Sequence, residues 1–520
     1  MQVLFQIAEV RSIQEGTSHH VSLQSLKVVR IDKCNKLRYL FPTSVAESLG
    51  QLEVLDISKC LELEEIIPKT EVSNINLQSL REVRVSGCNN LTSLSSLSHG
   101  QILEKLSTLR IRDCSRLEYT FPISMAEGLP QLNKVTLEGL PELKGRDGND
   151  IVLTLPSLQE LCVDDCPQLT PFIISAKIQI AELRSIQGPS HHVSLQSLKV
   201  VAIHNCNKLR YLFPTSVAQS LGQLEELRIS ECLELEEIIP KTEVSNINLP
   251  SPREGFGLQN IIFQSLRLLR LYDLPELPVA WKDPVEVVNF QNLTLLRVDS
   301  CRRLRYILSP TIARNLPQLS CLKICECEEL EQIIEKDGQT TSQGHHLQPI
   351  CLPNLTEIDI YKCENLRSLF PMSVAHGLSK LQDLTVWNVS KLEQVFEQSG
   401  DEANGSEEKE KVIQLPLLGT LHLETLPNLV RFSPVGYHFV FPSLNDLIVQ
   451  GCPNISTNFS VDSEESGHAK TEAIRSIDEN IVEESTTAQQ KTWAIGSDIW
   501  WRRQLSSRDE EMNVSFRRCK

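Results

Sequence analysis

Residues 21–76 read VSLQSLKVVRIDKCNKLRYLFPTSVAESLGQLEVLDISKCLELEEIIPKTEVSNIN, and residues 193–248 repeat them 172 positions later. The copies differ at seven of fifty-six positions: Arg30/Ala202, Asp32/His204, Lys33/Asn205, Glu47/Gln219, Val54/Glu226, Asp56/Arg228 and Lys59/Glu231. Each copy holds two shorter units of the form L-x-x-L-x-x-(L/V/I)-x-(I/V/L)-x-x-C-x-x-L. The first unit places Leu23, Leu26, Val29, Ile31, Cys34 and Leu37; the second places Leu49, Leu52, Leu55, Ile57, Cys60 and Leu63.

The same spacing extends through most of the chain. The Cys position recurs at Cys88, Cys114, Leu140, Cys166, Cys206, Cys232, Leu274, Cys301, Cys327, Cys363, Val389, Leu426 and Cys452, giving fifteen units, most of them 26 residues apart. A period in the twenties with this leucine spacing is the signature of a leucine-rich repeat solenoid. The expected fold is α/β: a curved array with a parallel β-sheet on the concave side and short helices and loops on the convex side. Val29 and Ile31 alternate with polar neighbours at period two, as in a half-buried strand. The chain must then turn, and the turn residue must point inward. Cysteine is small, readily buried and a weak hydrogen-bonding group, so it suits that place. Ser44 and Glu47 have the spacing of a capping box, which predicts a short helix; Ser124 with Glu127 and Ser216 with Gln219 repeat it.

The array occupies residues 21–458. Residues 1–20 read as a truncated inter-repeat segment, because Ile7–Ser12 (IAEVRS) matches Ile180–Ser185 (IAELRS) inside the array. A chain beginning in mid-solenoid lacks the polar cap such arrays use to cover their ends. The polar stretches 335–349 and 398–411 read as mobile loops, and residues 459–520 as a disordered C-terminal tail.

Composition removes several function classes. The net charge is −16, which disfavours a phosphate backbone as partner, so no nucleic acid is expected. The start, MQVLFQIAEV, is neither a signal peptide nor a membrane span. With no export signal, cytoplasmic location and reduced thiols are the expectation. No phosphate-binding loop, zinc-protease, hydrolase or kinase motif is present, so neither catalysis nor a cofactor is expected. Cys321, Cys325 and Cys327 resemble a metal cluster, but the repeat register explains Cys327 as a turn residue and no second ligand pair follows. The pairs His19-His20, His191-His192 and His345-His346 fall in predicted loops.

The duplication carries the functional signal. The non-core strand positions of the duplicated units are 27, 28, 30, 32, 33 and 53, 54, 56, 58, 59, and they are expected to line the concave surface. Six of the seven differences fall on these ten positions, where random placement gives roughly one. The seventh, Glu47/Gln219, keeps the capping pattern. Convex and loop positions are also exposed, yet they are identical between copies. The candidate protein-binding surface is therefore Arg30, Asp32, Lys33, Val54, Asp56 and Lys59, with the altered twin Ala202, His204, Asn205, Glu226, Arg228 and Glu231.

The paired phrases at Cys34–Leu49 (C-x-x-L-x-x-L-F-P-x-S-x-A-x-x-L) and Cys60–Ile67 (C-x-x-L-E-x-I-I) resemble the leucine-rich repeat region of plant intracellular coiled-coil, nucleotide-binding disease resistance proteins. That resemblance spans residues 21–458. It implies a defence role by protein recognition, with a pathogen effector, a guarded host protein or a nucleotide-binding switch module as partner. These 520 residues contain neither the coiled coil nor the nucleotide-binding module. Substrate receptors of ubiquitin ligases also carry Cys-bearing repeats, but no F-box-like helical segment precedes the array here.

Overall fold

The computed structural model describes residues 2–5, 23–46, 48–68, 77–94, 97, 103–119, 129–144, 155–169, 195–213, 221–239, 263–279, 290–336, 350–398 and 411–456. The predicted loop tips at 337–349 and 399–410, the tail, the three histidine pairs and the capping residues Glu47, Ser124, Glu127, Ser216 and Gln219 lie outside them.

Among the described residues, sixteen strands form one sheet in which each strand pairs with the next strand of that sheet in chain order. Fifteen of them coincide with the fifteen repeat units, from Val28–Asp32 and Val54–Ser58 through to Thr420–Glu424 and Asp446–Gln450. Every pairing is parallel and without a register slip, so Val28 aligns with Val54, Arg30 with Asp56 and Asp32 with Ser58. The sixteenth strand, Gln2–Phe5, pairs with Val28–Asp32 at one edge, where the sequence reading placed only an inter-repeat segment. Three two-stranded sheets lie beyond the turns, such as Tyr306–Leu308 with Gln332–Ile334.

The alternation of the strands fixes which side chains form the core. Val29 and Ile31 are 0% and 2% exposed, while Arg30 between them is exposed. The leucines of every unit join one continuous buried cluster. Each fully buried aliphatic side chain contributes about 1.5–3 kcal/mol, and stacking the units makes that burial cumulative.

The turn has a feature that the sequence alone does not display. The residue after each of the fifteen repeat strands has positive φ, from Lys33 (57°) and Lys59 (52°) to Gly451 (65°). In every unit but the last its amide still donates to the neighbouring strand's last carbonyl, as in Lys33 to Ser58 at 2.9 Å and Lys59 to Ser86 at 2.7 Å. The left-handed residue thus keeps the ladder intact while swinging the next side chain inward. At Gly139 an added Cβ would lie 2.7 Å from Asp113 Oδ1, so a larger residue there would push the Asp113 side chain aside.

The next side chain is the turn cysteine. All eleven turn cysteines are buried free thiols. Each donates to the carbonyl two residues earlier, at 3.2 Å for Cys114 to Arg112 and 3.5 Å for Cys301 to Asp299. Burial pushes the Cys166 and Cys232 thiols up to about 12, so both stay protonated at neutral pH. Adjacent turn thiols form no bridges, and their chemistry is structural.

The helices among the described residues are single turns. The one predicted from Ser44 spans Thr43–Ala46, starting two residues earlier than a Ser44 cap allows. Ser309 does cap its helix: its hydroxyl accepts from the Ile312 amide at the start of Pro310–Ala313. Among the described residues, no helix is long and apolar enough to cross a membrane.

Candidate protein-recognition site

Each repeat strand presents three outward side chains on the concave face, and the unbroken register aligns them in three files across the sheet. Arg30, Asp56, Arg84 and Arg110 follow one another in the central file. Asp32, Ser58, Ser86 and Arg112 do so in the file at the C-terminal ends of the strands.

The structure brings the first candidate patch together on adjacent strands. Asp32 accepts a 2.8 Å hydrogen bond from the Ser58 hydroxyl, and Lys33 Nζ lies 3.5 Å from its other oxygen. The Ser58 hydroxyl and the lysine charge hold the Asp32 carboxyl below its ordinary value, against the opposing effect of desolvation. Asp56 lies 3.5 Å from Arg84, which also pairs with Glu82 at 2.7 Å. Val54 is half-buried and Arg30 exposed.

The twin patch replaces these contacts in matched pairs. His204 Nδ1 meets the Ser230 hydroxyl at 2.9 Å, so the unchanged serine bonds histidine where its counterpart bonds aspartate. Glu226 and Arg228 pair with each other, Nε to Oε1 at 2.6 Å. Together they reproduce the Glu82–Arg84 arrangement one strand beyond the first patch. Asn205 donates to Asp165 at 2.9 Å.

Two features of the sequence reading change. Lys33, Lys59, Asn205 and Glu231 are not strand residues: they occupy the left-handed turn and form the rim of the concave face, not its floor. Ala202 is fully buried, because its methyl group does not reach past the longer side chains around it. It shapes the floor but offers no accessible surface.

The sequence reading also missed the charge of the central file. Seven of its fifteen repeat residues are Arg or Lys and two are Asp, although only 51 of 520 residues in the chain are basic. Four basic residues follow without interruption: Arg228, Arg270, Arg297 and Lys323. Beside them, Tyr361 and Trp387 on adjacent strands pack with ring centroids 4.9 Å apart and planes tilted by 42°. Reading the central position down successive units reveals the basic run; the aromatic pairing needs the register.

Asp359 ends the basic run. Desolvation pushes its carboxyl up to about 6, against the pull of Lys323. The folded chain therefore binds this proton more tightly than the unfolded chain does. The penalty for the charged form is complete above pH 6 and is relieved as pH falls toward 4. Asp359→Asn is expected to stabilise the protein by on the order of 1–2 kcal/mol at pH 7.5 and by almost nothing at pH 4. Melting curves of the two proteins at both pH values check this; an equal gap at both would contradict it.

One repeating unit stacked into an unbroken parallel sheet defines a leucine-rich repeat scaffold for protein interaction. The profile of the family "plant disease resistance protein RPS2-like, leucine-rich repeats" matches residues 4–61, 63–187, 182–233, 232–328 and 339–466, and the chain belongs to this family. Probable disease resistance protein At4g27220 of Arabidopsis thaliana is 26% identical over 218 residues, covering 41% of this chain and 21% of that protein. Protein SUPPRESSOR OF npr1-1, CONSTITUTIVE 1, from the same plant, is 24% identical over 303 residues, 54% of this chain and 18% of its own. The chain thus spans about a fifth of the length of the curated relatives it matches. Among solved structures, the leucine-rich repeat domain of the type III effector XCV3220 (XopL) aligns with 40% of this chain and 70% of its own, at 21% identity and a TM-score of 0.28.

Proposed function

We propose that this chain is the recognition surface of a plant immune receptor, binding a pathogen effector, a guarded host protein or a nucleotide-binding switch module through its concave face. It acts by binding alone, without catalysis or a cofactor, in the cytoplasm. One observation carries the reading: six of seven differences between the duplicated blocks fall on the concave floor and rim, while the core is unchanged. The similarity to probable disease resistance protein At4g27220 supports the immune context.

The immobilised chain, exposed to extract of infected leaf, tests the reading. Retention of a bound protein is expected to fall at least tenfold with Asp56→Arg, since a charge reversal in an interface costs several kcal/mol, about 2–5 for a buried pair. It is expected to be unchanged by Arg38→Glu, because the exposed Arg38–Glu64 pair lies beyond the turn and off the sheet. Loss with Arg38→Glu and none with Asp56→Arg would contradict the reading.

A further inference from the structure

Arg228, Arg270, Arg297 and Lys323 lie directly opposite one another on four consecutive parallel strands. Strands are about 4.8 Å apart, so four like charges line up within roughly 14 Å. Like charges directly opposite in a sheet are destabilising. Three of the four have a carboxylate nearby. Arg228 pairs with Glu226, Arg297 lies 3.6 Å from Asp299, and Lys323 lies 2.8 Å from Glu357. Arg270 does not: its own strand offers Leu268 and Tyr272, and its Nε is buried without a hydrogen-bond partner. It sits between two other arginines. Fold stability therefore gives no reason for a cation at this position.

We propose that this basic file, with the adjoining Tyr361–Trp387 pair, is a docking site for an extended acidic protein segment. The inference rests on the reading of the concave face as a recognition surface and specifies the chemistry of the partner. Charge complementarity selects the occupant. An extended chain places alternate side chains about 6.6–6.8 Å apart, so three carboxylates at i, i+2 and i+4 span roughly the 14 Å of the file. Guanidinium groups bind carboxylates through paired hydrogen bonds, and Arg270 has that capacity unused within the protein. Tyr361 and Trp387 add the aromatic area that usually anchors such interfaces.

The test measures fluorescence anisotropy of the full chain with a labelled peptide in which Asp alternates with Ser and which ends in Tyr, and with its Asn-for-Asp counterpart. The acidic peptide is expected to bind at least tenfold tighter than the Asn peptide and to weaken steeply with salt. Arg270→Gln combined with Lys323→Gln is expected to lower affinity at least tenfold. Arg84→Gln, one strand beyond the first patch, is expected to change it less than twofold. Arg270→Gln alone is expected to leave the melting temperature unchanged or raised, which separates a docking residue from a structural one. Equal binding of both peptides, equal loss with Arg84→Gln, or tighter binding of inorganic polyphosphate or RNA than of the acidic peptide would each overturn the proposal. A captured leaf protein that still responds to Asp56→Arg but not to the Arg270/Lys323 pair overturns this proposal alone. One that responds to no concave substitution overturns the functional reading as well.

Discussion

Truncating Phe432 to alanine is expected to cost about 3–5 kcal/mol and to melt the C-terminal repeats ahead of the rest. Phe432 is 1% exposed and packs edge-on against three other rings: Phe396 at 5.6 Å, Phe439 at 5.2 Å and Phe441 at 5.6 Å. Phe396 and Phe439 also stack on each other at 5.1 Å. The cluster joins the two-stranded pair Lys411–Gln414 and Tyr437–Val440 to the preceding unit. Elsewhere the core is built mainly from Leu, Ile and Val, so this end depends on a few large contacts. A solenoid is stabilised unit by unit through nearest neighbours, so a loss here need not reach the units near Val28. Calorimetry of the variant should resolve an early transition, and hydrogen exchange should place it within residues 390–456. One cooperative transition shifted as a whole would contradict nearest-neighbour stability.

The fold was legible because its signal is periodic and its constraints are strong. Val29 and Ile31 cannot leave the core without exposing apolar area, and the same pair recurs in every unit. The turn cysteines were legible for the same reason, as buried residues at a fixed offset. The left-handed residue before each cysteine was not. Lys33, Lys59 and Glu231 are not residue types that favour positive φ, so their side chains read as a continuation of the strand. Ladder hydrogen bonds and the inward thiol impose the strained geometry, and local preference does not reveal it.

The candidate site was legible only as a set of positions. The duplication located them, but side-chain pairing depends on register and length. The Glu226–Arg228 pair and the serine shared by Asp32 and His204 emerge only from the structure. These pairings show how the floor changes charge without leaving polar groups unmatched. Ala202 was misplaced because an outward backbone position does not ensure an accessible side chain.

The central claim is that the two patches differ in what they recognise and not in how they fold. The direct measurement carries the six substitutions Arg30→Ala, Asp32→His, Lys33→Asn, Val54→Glu, Asp56→Arg and Lys59→Glu in one chain. This direction suits the structure, since the reverse exchange would force arginine into the buried place of Ala202. The replacements at 54 and 56 bring their own partner, as Glu226 and Arg228 do. Ser58 remains to bond the histidine, as Ser230 does. The changed charges are largely exposed, so stability should move by less than about 1 kcal/mol. Recognition should change far more, because reversed charges across an interface cost on the order of 2–5 kcal/mol, or thirtyfold and more in affinity. Melting temperature and partner affinity are measured on the same preparation. The account predicts an unchanged melting temperature with loss or exchange of the bound partner; unchanged affinity in a folded chain, with loss instead on substituting convex residues, would contradict it.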